Sequence, residues 1–546
     1  MTAEALIVVC PMWGTCLPPM GPAYIATYLE KKGVPCEVLD LNVTLFHSVG
    51  PEHQSLWRME NFHLWAREDA FESIRKVLSA EIAQWAQYVL DKGFKTVGFS
   101  INGANVLFSI AMAKILKEKR PDICVVFGGP SCNFLHNDTR MPFRFLMSSI
   151  NGEPLIDKEL VDYVVLGEGE EAFLEIVNAT RTGTAVKRPG VIPGAVRDRA
   201  MIERPIFIRD LDALPFPEWE KLPLEKYDEQ NELPVLFSRG CINRCAFCND
   251  WSMWDGKFRS RSAKNIFEEI KHVRDHFGKK AFRCNDLLFN GNLKMLEELS
   301  DLLVNSGTCV YWTGQGVVRT DMKLELLRNL RKAGLTTIIY GVESLADNVL
   351  KKMRKPFTFE EIRTVLKRTK EAGINVWINL ITGFPGETEE DFRMTQKHLE
   401  EIRDYVDVVS TLNPCNITAS TELEMFPERF GVIFPEGQEH SEGWETADGT
   451  NTFAIRKRRA REMYELMKQL RIKANFVGIY DGDSPLQKVP AAEASGAAAG
   501  KKRRFFSWRR VLGVPVFALL WLYHFFFAFY LQMAKKYRNI IVFPGS

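Results

Sequence analysis

The chain lacks any strong bias. Its 71 basic residues are nearly balanced by 69 acidic ones, a net charge of +2, so there is no basic surplus to ask for a nucleic-acid partner. The start, MTAEALIVVCPMWG, has no basic stretch ahead of its short apolar run, and Pro11 follows at once. It reads as a first buried strand and not as a signal peptide. The 11 cysteines are odd in number and scattered, unlike the dense, even sets of small secreted domains. That argues against a disulfide framework and for a reducing cytoplasm. There is no internal repeat. What remains is ordinary globular composition, 46% hydrophobic and 26% charged over 546 residues. At ~150 residues per domain this is material for several domains.

Residues 1–185 alternate apolar runs, at 5–10, 36–41, 96–101, 123–127 and 163–166, with helical stretches. Continuous apolar strands separated by helices predict a parallel sheet covered on both faces, a Rossmann-like α/β domain. Open sheets of this kind bind ligands beyond the carboxyl ends of their strands. The loops there hold Pro19 and Gly21, Ser100 and Asn102, Gly128 and Gly129, and Glu168 and Gly169. Small and polar residues let a ligand approach the backbone. Each loop is equally well explained as a tight strand-to-helix turn.

A Pro-rich connection follows at 186–232. Residues 233–420 then carry six or so further β–α units, which predicts a full or partial (β/α) TIM-like barrel with its working end at the strand carboxyl ends. A helical extension is expected over 421–481, and a flexible, basic linker over 482–510. Residues 511–534 hold a run rich in Phe, Leu and Trp, long enough to associate with a membrane; it could span the bilayer or lie in the interface. Basic residues are denser ahead of it than after it, which keeps the preceding domains on the cytoplasmic face.

The sharpest signal is Cys241-Ile242-Asn243-Arg244-Cys245-Ala246-Phe247-Cys248, on a polar loop after a strand. Three thiolates so spaced fit three corners of a cubane cluster and leave one iron open, as a catalytic metal requires. A zinc site would want a fourth Cys or His close by, and the next cysteine is Cys284.

CxxxCxxC with an aromatic residue before the last cysteine resembles the radical S-adenosylmethionine superfamily. In that family the methionine moiety of the cosubstrate chelates the open iron of a 4Fe-4S cluster, and electron transfer releases a 5′-deoxyadenosyl radical. The likeness continues in Phe258-Arg259-Ser260-Arg261-Ser262, in Asn285-Asp286-Leu287-Leu288-Phe289, in Gly341-Val342-Glu343-Ser344 with Met353-Arg354-Lys355, and in Gly383-Phe384-Pro385-Gly386-Glu387-Thr388. It implies S-adenosylmethionine contacts from Phe247, Gln315, Gly341, Glu343, Ser344 and Gly383. Glu343 suits a ribose hydroxyl or the methionine ammonium; a salt-bridged barrel carboxylate is the plainer alternative.

The N-terminal loops resemble the cobalamin-binding domain that precedes the radical domain in one large branch of the family. The resemblance implies cobalamin contacts from Pro19, Gly21, Ser100, Asn102, Gly128, Gly129, Glu168 and Gly169. The DxHxxG loop whose histidine ligates cobalt elsewhere is missing; His47 has the HxxG spacing but follows the second strand. The branch implies a radical S-adenosylmethionine methyltransferase acting on an unactivated carbon, with a small-molecule substrate and a flavodoxin or ferredoxin as electron donor. A membrane tether would suit a lipid-like substrate. A cyclase or rearrangement enzyme of the same architecture, and a non-catalytic, membrane-tethered cobalamin or metal-binding protein, are the alternatives.

Overall fold

The computed structural model describes residues 3–58, 61–135, 160–194, 203–418, 420–435 and 442–478. The basic linker and the apolar 511–534 segment lie outside the described residues. Among those described, no helix is long and apolar enough to cross a membrane.

The first sheet contains β1 (Ala5–Val9), β2 (Cys36–Asp40), β3 (Thr96–Ser100), β4 (Cys124–Gly128), β5 (Tyr163–Val165) and β6 (Val191–Pro193), in the order β2-β1-β3-β4-β5-β6. Neighbours are parallel except β6, which runs antiparallel to β5. The parallel core is as expected from the buried apolar runs. The edge strand β6 is not, because three residues ending in proline carry no strand signal. The order reverses between β1 and β3, and loops on either side of such a point part to leave a crevice.

Residues 41–92, on which the sequence pattern is silent, form a helical excursion that includes Phe62–Ala66, Glu68–Val77 and Ser79–Lys92. Trp57, Trp65 and Phe71 pack there against the sheet and the Val106–Lys119 helix. The two indole N–H groups are satisfied inside the core, Trp57 donating to Asn42 Oδ1 at 3.0 Å and Trp65 to the Leu56 carbonyl at 2.9 Å.

The second sheet takes its strands from β7 (Glu232–Val235) onward. A short antiparallel pair, β8 (Ser238–Arg239) and β9 (Arg259–Ser260), stands apart from it. The series continues with β10 (Ala281–Cys284), β11 (Tyr311–Gly316), β12 (Leu335–Glu343), β13 (Asn375–Thr382) and β14 (Val408–Pro414). A small pair, β15 (Val432–Ile433) with β16 (Glu445–Thr446), precedes β17 (Lys473–Val477). The order β17-β14-β13-β12-β11-β10-β7 is parallel throughout, with β7 and β17 at its two edges, so among the described residues the barrel is partial and open. Two of the helices between the strands start at capping boxes, Thr358 with Glu361 and Thr388 with Asp391. The segment expected as a purely helical extension is more than that. Its helix Phe453–Gln469 returns the chain to the sheet, and β17 pairs with β14 as the seventh strand.

The described later part of the 186–232 connection is tied down. Tyr227 donates its hydroxyl to Asp40 Oδ2 at 2.5 Å, Glu218 N–H donates to Thr27 Oγ1 at 2.8 Å, and Lys221 pairs with Glu30 at 2.5 Å. Trp219 is fully buried in a core shared by Ala23 and Val43 of the first domain and the strands of the second. The two domains therefore bury apolar surface against each other and not only through a tether.

Candidate metal centre

The three cysteines stand on the loop between β8 and β9, whose register pairs Ser238 with Ser260 and Arg239 with Arg259. The chain enters the loop at Gly240, whose φ is +91°; a Cβ there would sit 1.8 Å from the Lys257 carbonyl oxygen, so the two arms meet only because the residue is glycine. Asp286, just past β10, anchors the entry. It accepts from the Phe237 N–H at 2.8 Å, from the Ser238 hydroxyl and from the Cys284 thiol at 3.1 Å. Burial pushes its carboxyl up to about 6, with those hydrogen bonds opposing.

Mid-loop, the Ala246 N–H donates to the Met353 carbonyl at 3.0 Å and its carbonyl accepts from Leu423 N–H at 3.2 Å, which fixes Cys245 from both sides. Cys245 is buried, while Cys241 and Cys248 are half-buried. The Asn243 N–H points at Cys241 Sγ at 3.4 Å, and Cys248 Sγ lies 3.4 Å from Asp250 Oδ2. Burial pushes the Cys241 thiol up to about 12 and raises Cys245 and Cys248 as well. A metal bound among them would oppose that shift, because a coordinating thiol is deprotonated. Among the described residues, no three His, Cys, Asp or Glu side chains converge on one ion position. A cubane cluster needs no such convergence, because each thiolate meets a different iron.

Glu343 ends β12 in the left-handed region, φ +69°, an uncommon conformation for a residue with a side chain and one that collects at functional sites. Its carboxyl is buried, which pushes it up, and Lys355 opposes that from 3.5 Å. Lys355 is itself only 7% exposed. Its ammonium donates to the Gly341 carbonyl at 2.8 Å, lies over the Phe247 ring at 5.2 Å, and is close enough to Cys245 and Cys248 to act on both. A Cβ on Gly341 would come within 2.9 Å of the Glu343 carboxylate. Phe247, Gly341 and Glu343 are thus brought together beside the cysteines. Lys355 belongs with them; its sequence signal is its place in Met353-Arg354-Lys355, after Gly341-Val342-Glu343-Ser344.

The other expected contacts fall out differently. Gln315 is half-buried on β11, opposite Ile339. Ser344 is 1% exposed and its hydroxyl accepts the Ala346 N–H at 3.3 Å, so it serves the turn. Gly383 is required by packing: a Cβ would lie 2.3 Å from Arg456 Cγ, and its N–H is taken by Glu387 at 2.6 Å. Burial raises Glu387 to about 7 despite Arg459 at 2.9 Å.

Among the N-terminal loops, several residues are already committed to the protein. Asn102 is fully buried; it donates to the Met12 carbonyl at 2.9 Å and accepts from Ala104 and Asn105 N–H, both at 2.8 Å. A Cβ on Gly129 would meet the Ile101 carbonyl at 2.7 Å, and one on Gly169 would meet Ile25 at 2.6 Å. The Gly128 carbonyl accepts the Ile101 N–H at 2.6 Å, and the Ser100 carbonyl accepts the Asn105 amide at 2.9 Å. Glu168 is spent on two arginines, described below. These loops brace each other because buried polar groups must find partners. Pro19 precedes the helix Met20–Lys31, and at Gly21 a Cβ would meet nothing within 4 Å. His47 bonds the Lys226 carbonyl at 2.7 Å and stands away from the strand ends.

Residues 235–399 match the family described as the radical SAM superfamily. An uncharacterized methyltransferase of Pyrococcus horikoshii is 26% identical over 313 residues, 56% of this chain and 64% of that protein. The cytidylyl-2-hydroxyethylphosphonate methyltransferase of Streptomyces wedmorensis is 25% identical over 71% of this chain and 74% of its own. An anaerobic magnesium-protoporphyrin IX monomethyl ester cyclase of Rubrivivax gelatinosus is 29% identical over 52% of this chain and 50% of its own. The chain thus spans from half to three-quarters of the length of these relatives. Among solved structures, the radical S-adenosylmethionine methyltransferase TsrM of Kitasatospora setae, with cobalamin and a [4Fe-4S] cluster bound, superimposes with a TM-score of 0.57 at 16% identity, over 84% of this chain and 85% of that one. With its three-cysteine loop at the strand ends of an open parallel barrel, the segment 235–399 belongs to the radical S-adenosylmethionine superfamily.

Proposed function

We propose that the protein is a radical S-adenosylmethionine enzyme that methylates an unactivated carbon with the help of cobalamin. The observation that carries this is the juxtaposition of Cys241, Cys245 and Cys248 with the buried Glu343–Lys355 pair. When bound, the cluster supplies the electron that cleaves S-adenosylmethionine, and cobalamin supplies a carrier for the methyl group. The three cysteines would hold three irons. Glu343 and Lys355 present opposite charges to a zwitterionic methionine moiety, in a site buried enough to strengthen both contacts. A metal-storage module has no use for that charge pair, which speaks against a non-catalytic reading. The reversal point of the first sheet, between β1 and β3, is where cobalamin would bind on this reading.

The inner face of the barrel supports an apolar substrate. Ile339, Trp377 and Val408 form a shelf on adjacent strands, separate from the main core. Near it, Asn379 Oδ1 and Asn475 Nδ2 are buried without a partner among the described residues, and a carbonyl or hydroxyl on the substrate would satisfy them. A one-electron donor such as flavodoxin or ferredoxin completes the system. The cyclase of Rubrivivax gelatinosus favours, as a second reading, cyclisation on the same architecture.

The test uses anaerobically reconstituted protein with hydroxocobalamin, reductant and S-adenosylmethionine labelled in its methyl group. Formation of 5′-deoxyadenosine together with label on the cobalamin is the expected result. Deoxyadenosine with no label on cobalamin moves the reading to cyclisation. An intact cluster that yields neither product sinks the enzyme reading. As part of the same reading, the 511–534 segment tethers the catalytic domains to the cytoplasmic face of a membrane. Truncation after Gly500 is then expected to move the protein from the membrane to the soluble fraction; retention on membranes by the truncated chain excludes this tether.

A further inference from the structure

The two stems of the cysteine loop are held from the other domain. Arg239 and Arg259 lie directly opposite each other in the β8–β9 ladder. Like charges at paired positions repel, and more so when buried; these side chains are only 9% and 11% exposed. The charge that reconciles them is Glu168, on the loop between β5 and the helix Gly169–Thr182 of the N-terminal domain. Its Oε1 accepts from Arg239 Nη1 at 2.6 Å, and its Oε2 lies 2.9 Å from Arg259 Nη1. Glu170, one residue into that helix, takes the other Arg239 nitrogen at 2.6 Å. Both carboxylates are nearly inaccessible to water, at 3% and 4%. Tyr24 lies under Arg239 with its ring 5.7 Å away, and the linker joins through the Ile208 N–H, 2.6 Å from Glu168 Oε2.

We propose that Glu168 and Glu170 are positioning residues for the metal centre: two carboxylates of the N-terminal domain clamp the arginines at both ends of the cysteine loop and so set the spacing of its three sulfurs. Arg239 is separated from Cys241 by Gly240 alone, so a shift of the stem passes directly to the first ligand. Glu168 sits on a strand-end loop of the cofactor-type sheet, which places the geometry of one domain under the control of the other. The inference rests on the radical S-adenosylmethionine reading of the cysteines.

The experiment compares reconstituted wild-type protein with Glu168→Gln, Glu170→Gln, Glu168→Asp and the control Glu171→Gln. Glu171 pairs with Arg188 inside the N-terminal domain and touches no loop stem. Circular dichroism, iron content, the electron paramagnetic resonance spectrum of the reduced cluster with and without S-adenosylmethionine, and KM for S-adenosylmethionine are recorded. Glu168→Gln is expected to keep wild-type dichroism, to change the spectral shift that S-adenosylmethionine induces, and to raise KM by about tenfold or more, as loss of a buried charge partner implies. Glu168→Asp should recover part of the shift, and Glu171→Gln should match wild type. Loss of iron from a folded Glu168→Gln protein is the stronger form of the same result. If Glu168→Gln does not fold, Glu170→Gln decides, because it leaves Glu168 on both stems. Unchanged spectra and KM in the folded glutamine variants overturn the clamp. Absence of a cluster from wild type overturns the metal-centre reading beneath it.

Discussion

Replacing Cys245 with alanine is expected to remove the visible absorbance of the reconstituted protein, most of its iron, and all cleavage of S-adenosylmethionine above background. Of the three loop cysteines this one has the least freedom. It is buried, the neighbouring Ala246 backbone is bonded on both sides, and its sulfur faces the Lys355 ammonium. Alanine there leaves two thiols of the three, and Cys284 is not free to replace the third, because it is committed to Asp286. The fold should survive, since the loop is held at its stems and not by its cysteines. Cys309, which is exposed, provides the control; Cys309→Ala should leave iron and turnover untouched. Unchanged iron and absorbance in the Cys245 variant would remove the basis of the metal assignment.

Much of the architecture is legible in the sequence because its signals are local. The strands of the first sheet are largely continuous apolar runs, and the cysteine spacing acts over a few residues. The elements that were not legible depend on partners far away in the chain. β17 is a strand only because β14 offers an edge, and β6 only because β5 does. The clamp is the same case: Glu168 and Arg239 are 71 residues apart, and neither has a motif that names the other. The glutamate of the Gly-Glu-Gly-Glu turn, expected to face a cofactor, therefore faces a neighbouring domain. Asn102 and Gly129 looked like ligand contacts for a related reason. A buried loop brace and a ligand cradle need the same residue types, and only the position of the partner tells them apart. Glu343 was singled out by the resemblance of Gly341-Val342-Glu343-Ser344 to a family segment, whereas Lys355 is one of many lysines and gained meaning only from its burial.

A second large effect is expected from a residue that carries no chemistry. Gly240→Ala keeps all three cysteines and every side chain of the clamp, yet it should lose the metal centre nearly as completely as Cys245→Ala does. Two costs combine. The backbone at φ +91° is one that side chains rarely adopt, a penalty of ~1–2 kcal/mol. The larger cost is steric: the added carbon would lie 1.8 Å from the Lys257 carbonyl oxygen and 2.9 Å from its carbon, and these are backbone atoms that cannot rotate away. The stems must separate, which pulls Arg259 from Glu168 or Cys241 from its place. Gly278→Ala separates the two costs. Gly278 has φ +66° with nothing within 4 Å of an added Cβ, so that variant pays the conformational penalty alone and should keep its iron with a modestly lower melting temperature. If Gly240→Ala also retains full iron and turnover, the closeness of the two stems is not what shapes the cysteine loop, and its geometry must come from the Ala246 anchors instead.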